Sequence, residues 1–112
     1  MRAAEFNRRC SIEYKSVEQE ATYGTEIVTW IRLAEVWAQV RDVLPSRSES
    51  VRTGVDLARN QVRIRMRWRA DLDSSMRIVV HGGNDLIYQI VGGPAEVGRQ
   101  EALEMVCERW TS

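Results

Sequence analysis

The densest concentration of one chemistry in this chain is Val62 to Arg69, VRIRMRWR, with a guanidinium at every second position. Successive side chains of a strand point to opposite faces. As a strand, this stretch puts Val62, Ile64, Met66 and Trp68 on one face and Arg63, Arg65, Arg67 and Arg69 on the other. The apolar row reads as a core face. The other row is a rail of planar forks, each able to grip a carboxylate or a phosphate.

The remaining reactive residues are sparse. His81 is the one histidine and precedes Gly82-Gly83, the place of a surface or capping residue at a strand end. Asp71 and Asp73 flank a turn. Paired carboxylates can do acid–base work, but an Asp in a turn has a sufficient local reason, bonding nearby backbone. The stretches GGNDLIYQ and VGGPAEVG lack the strand-before, helix-after context of a phosphate loop. No Ser, His and Asp set suggests itself, so the sequence reads as no enzyme, with no cofactor and no metal. Cys10 and Cys107 lack zinc-like spacing. They read as two buried thiols, or as one bridge if the first and last strands are neighbours in an oxidising environment.

The totals bound the rest. With 112 residues, the chain is expected to form a single domain over 1–112. Sixteen basic and sixteen acidic residues cancel to zero net charge, which argues against a general nucleic-acid binder. No stretch approaches the ~18 apolar residues of a membrane span, so no membrane partner is expected. The start, MRAAEFNRRC, has no apolar signal region, so synthesis in the cytosol is expected.

These residues need elements to position them. Arg9 to Lys15 reads as a strand with Cys10, Ile12 and Tyr14 on one face. Residues Ser16 to Thr29 are polar, carry a Tyr23-Gly24 turn signal and show no steady period; they read as a long excursion, in the form of a mobile hairpin. RLAEVWAQVRDV follows as a strand, with Ala34, Val36, Ala38 and Val40 inward. Trp37 falls on its mostly polar face, where it covers an edge, packs on a returning loop or meets another protein. Leu44-Pro45 stops the strand. Ser46-Arg47-Ser48-Glu49 fits a helix capping box, and Val51, Val55 and Ala58 give a thin stripe for a short helix ending near Asn60. Gly54 in its middle costs on the order of 1 kcal/mol relative to Ala, so a flexible segment is the alternative. The arginine strand follows, then MRIVVH, the hairpin signal Gly82 to Asp85, and LIYQIV. GGPAEVG reads as a loop. QEALEMVCERW reads as a last strand rather than a helix. The expectation is a mainly β chain, a small antiparallel β-barrel of about six strands with one short helix and two long loops.

The order RRCSIEYK, YGTEIVTW, EVWAQVRDV, VRIRMRWR, MRIVVHGGNDLIYQIVG, RQEALEMVCE resembles the head–tail joining, or head closure, family of tailed bacteriophages, from Met1 to about Arg109. Trp68 stands where that family often has Tyr, and Ser46 where a Gly is common. The resemblance implies a ring of identical subunits, commonly twelve, in the virion neck. Its partners would be the portal and adaptor ring, a tail protein ring and, transiently, the phage DNA. Such a ring closes the DNA exit channel and offers the tail a docking surface. A loop reaching into the channel would here be Asp42 to Asn60, with Ser46, Arg47, Glu49, Arg52 and Gly54 as its candidate residues. The alternatives are a neighbouring neck or tail-terminator ring, or a small nucleic-acid-binding barrel.

Against that background the rail has three readings. It is a solvated strand face, its arginines opposite Glu101, Glu104 or Glu108. It is half of a ring interface, a basic strip meeting an acidic strip on the next copy, with Trp37 beside it. Or it contacts DNA in the channel.

Overall fold

The computed structural model describes residues 5–43 and 61–110. Six strands account for most of them: β1 (Arg8–Gln19), β2 (Glu26–Asp42), β3 (Gln61–Arg67), β4 (Arg77–Val80), β5 (Leu86–Val97) and β6 (Ala102–Arg109). Every pairing is antiparallel. The sheet runs β1-β2-β3-β6-β5-β4 and closes on itself where β4 pairs with β1. The short helix expected before β3 lies outside the described residues, as do Ser46, Arg47, Glu49, Arg52 and Gly54.

The alternation read from the sequence is what fills the barrel. Val62, Ile64 and Met66 of β3 are buried against Leu103, Met105 and Cys107 of β6, and Cys10, Ile12, Ile78, Val80, Tyr88 and Ile90 complete the cluster. At six strands the interior holds side chains and nothing else. Both cysteines are free, buried thiols. They sit on β1 and β6, which are not neighbours in the sheet.

Three expectations are corrected. Residues 16–29 form the expected hairpin, turning around Tyr23-Gly24, but its arms are paired strand and not a long loop. β1 and β2 stay in register from Ser16↔Thr29 to Gln19↔Glu26, and only residues 20–25 turn. Val17, Ile27, Val28, Thr29 and Trp30 are good strand formers, but apolar residues on both faces hide the period. The turn is held by Glu20 N donating to Thr25 O at 2.7 Å and Gly24 N donating to Glu20 O at 2.8 Å. GGPAEVG is not a loop either. β5 continues through it to Val97, with two register shifts against β6 and a cis Gly93-Pro94 bond. Gly93 has φ of 88°, and a Cβ there would lie 2.9 Å from the Glu104 carbonyl, so only glycine fits. Finally, the arginine strand ends at Arg67. Arg69 belongs to the following turn. The expected strand at the C-terminus and the hairpin at Gly82 to Asp85 are both present.

Candidate functional site

The rail turns its forks onto its own molecule. β3 and β6 pair so that Arg65 lies directly opposite Glu104. Arg65 Nε donates to Glu104 Oε2 at 3.2 Å, with its Nη2 on the same oxygen. Arg63 Nε sits 3.2 Å from the other oxygen, Oε1. One carboxylate thus holds two guanidiniums. Arg67 lies over the Phe6 ring at 5.7 Å. Arg69 grips Asp71 with two parallel bonds of 3.0 Å, and these bonds hold the Asp71 carboxyl below its usual range. Asp73 is taken by the turn, accepting from Ser75 N at 2.9 Å and from the Ser75 hydroxyl. Of the three carboxylates named as opposite the rail, Glu104 is the one that holds Arg63 and Arg65.

Trp37 remains 59% exposed. It borders a concavity of about 430 Å³ lined also by Asn7, Arg8, Arg9, His81, Gly82 and Asp85. Arg9 pairs with Glu35 at 3.0 Å. Arg8 pairs with no carboxylate of the described residues. His81 is placed by the last rung of the barrel's closure, its N donating to Arg9 O at 2.9 Å.

Closure also assembles two clusters that the sequence did not announce. In the first, His81 Nδ1 lies 3.2 Å from Asp85 Oδ1, and His81 Nε2 lies 2.6 Å from Ser11 Oγ. A carboxylate only accepts, so Nδ1 donates to Asp85, while Nε2 and the Ser11 hydroxyl share the second hydrogen bond. The order Ser–His–Asp is that of a hydrolase triad, yet Ser11 is fully buried, so its hydroxyl meets no substrate carbonyl. The array pins β1 to β4 instead. In the second cluster, Arg77 Nε meets Glu13 Oε1 at 2.7 Å. The same guanidinium lies 4.3 Å from the Trp30 ring and 5.7 Å from the Trp110 ring, and the two indoles meet edge-on at 5.5 Å. Neither cluster has a local sequence signal, because its members are 64 or 70 residues apart. Among the described residues no three His, Cys, Asp or Glu side chains gather as a metal site.

The rail's four guanidiniums thus meet two carboxylates, Glu104 and Asp71, and the Phe6 ring, all of their own molecule. The chain belongs to the phage head completion protein family, whose model matches residues 1–109. It is a structural component of the phage head. The solution structure of protein SF1141 from Shigella flexneri 2a is similar to it, at 29% identity and a TM-score of 0.72, covering 97% of this chain and 96% of that one. No curated protein matches the sequence.

Proposed function

We propose that the chain forms a ring in the virion neck, between the portal and adaptor ring and the tail, where it closes the DNA exit channel and gives the tail its docking surface. The observation that carries this reading is a head completion chain, matched over 1–109, whose closed barrel leaves a long hairpin projecting and an aromatic-edged concavity open. A barrel closed by hydrogen bonds offers identical copies a rigid body. Contacts between copies that are each weak become persistent when every subunit is held at several places. Engagement of Arg63, Arg65 and Arg69 by Glu104 and Asp71 favours a structural rail over one that grips passing DNA, which a channel must let slide.

The test is electron microscopy of particles from an infection lacking this protein. The expected result is heads that have lost their DNA beside finished, unattached tails. Heads that stay full and join tails in its absence would refute the reading.

A further inference from the structure

The β1–β2 hairpin leaves the barrel. β4 covers β1 only from Cys10 to Glu13, and β3 covers β2 only from Ala38 to Asp42. Beyond these rungs, residues 14–19 and 26–31 pair only with each other among the described residues. The register sets Tyr14 opposite Ile31 and Glu18 opposite Ile27 on one face, and Val17 opposite Val28 on the other. Tyr14, Val17, Ile27, Val28 and Ile31 are all exposed, and Tyr23 at the tip is 81% exposed. An antiparallel ribbon meant for water keeps one face polar, and a two-stranded ribbon is marginal by itself. Apolar residues on both faces mark an arm that something covers. The ionised side chains of its outer end, Glu18, Glu20 and Glu26, are all acidic and pair with no described residue.

The opposite charge lies at the other end of β1. There Arg8 has no carboxylate partner among the described residues, Arg9 shares Glu35, and the Trp37 ring stands open beside them. β1 has 12 residues, about 40 Å at ~3.3 Å per residue, so a chain's own tip cannot reach its own concavity. The arm fits a second copy.

We propose that the β1–β2 hairpin tip of one copy docks in the Arg8–Trp37–His81 concavity of the next, Tyr23 against Trp37 and the tip glutamates toward Arg8 and Arg9. The contact joins unlike patches, and such a contact closes into a ring when its rotation permits. The inference rests on the ring reading above and names the two surfaces that make it. Net acidity of the arm selects a copy of this chain over DNA as its partner.

The experiment supplies Tyr23→Cys, Trp37→Cys and the double variant to an infection lacking the wild-type protein, then oxidises the purified particles. Both positions are exposed, and the native thiols are buried and silent. The double variant should give a ladder of linked multimers, and each single variant none. Particles that carry the protein and keep their DNA but yield no ladder, or that link through Tyr23→Cys alone, overturn the docking and leave the neck reading standing. Absence of the wild-type protein itself from purified particles overturns both. In parallel, Arg8→Glu/Arg9→Glu and Glu18→Arg/Glu20→Arg/Glu26→Arg should each abolish incorporation, and their combination should restore it. Retained incorporation of Arg8→Glu/Arg9→Glu with lost binding to a duplex oligonucleotide would assign the concavity to nucleic acid instead.

Discussion

Two ion pairs on β1 have similar geometry and different surroundings, so their loss should differ in size. Arg77 and Glu13 are 2.7 Å apart with side chains 15% and 18% exposed, and two indoles shield the guanidinium. Arg9 and Glu35 are 3.0 Å apart with side chains 58% and 39% exposed. Removing one partner of a buried pair costs about 3–5 kcal/mol, because a charge is left unpaired away from water. Glu13→Gln keeps an amide oxygen as acceptor and leaves the rings in place, so about 2 kcal/mol is expected. Glu35→Gln removes exposed pairs to Arg9 and, at 3.6 Å, to Arg32, together worth about 0.5 kcal/mol. Unfolding entropy of ~2.1 cal/mol/K per residue makes 1 kcal/mol worth about 4 °C in a chain of this length. Calorimetry at neutral pH should therefore show Tm falling by about 8 °C for Glu13→Gln and about 2 °C for Glu35→Gln. In 1 M salt, where the screening length is ~3 Å, the smaller effect should vanish and the larger persist. Equal shifts for the two variants, or loss of the Glu13→Gln effect in salt, would refute the claim that closure of β4 on β1 encloses this pair.

Other consequences are open to direct measurement. Ile64→Ala empties part of the barrel centre and should cost about 2–5 kcal/mol in denaturant unfolding; a cost under about 1 kcal/mol would mean the interior is not packed around β3. Gly93→Ala forces a Cβ toward the Glu104 carbonyl at positive φ, so stability should fall by more than about 1 kcal/mol, while Gly83→Ala, with open space around it, should change little. Burial pushes the Cys10 thiol up to about 11 and the Cys107 thiol up to about 12. Native protein at pH 8 should resist a thiol reagent that titrates both cysteines once urea unfolds it. The linkage follows in sign. The unfolded thiols lose protons near 9 while the folded ones keep theirs, so stability holds below pH 9 and falls as pH rises from there toward 11–12. Urea midpoints at pH 8 and pH 10 would show it.

Where one face was clearly apolar, the fold was legible. Val62, Ile64 and Met66 alternate with arginine, and Leu103, Met105 and Cys107 alternate with polar or smaller residues, so β3 and β6 and their buried rows follow from period alone. The hairpin at Gly82 to Asp85 follows from turn chemistry. In the arm the turn at Tyr23-Gly24 was legible but the paired strands were not, because a ribbon with apolar residues on both faces has no period to read. Nor did the second half of β5, where Gly92, Gly93 and Pro94 look like a loop and instead make the bulges that let the strand bend. The rail's partner could be narrowed to three glutamates, but choosing Glu104 needed the register. The clusters around His81 and Arg77 were illegible for a different reason. They exist only because β4 returns to β1, a pairing that no local stretch encodes.

That return is also what connects the fold to assembly. An open six-stranded sheet would present two edges, each a template for unplanned pairing with other chains. Closing β4 on β1 removes them, while the arm, residues 14–19 and 26–31, keeps an unpaired outer edge on both of its strands. Among the described residues the arm joins such edges to exposed apolar side chains and carries acidic residues at its end. The concavity at the base of the same strand depends on closure too, since His81 reaches it only through its bond to Arg9. A substitution that opened the β1–β4 seam would therefore unmake the dock and free two more edges together. The expected signature is aggregation rather than a clean loss of assembly, whereas Glu18→Arg/Glu20→Arg/Glu26→Arg should give soluble, folded monomer, a contrast that size-exclusion chromatography can read.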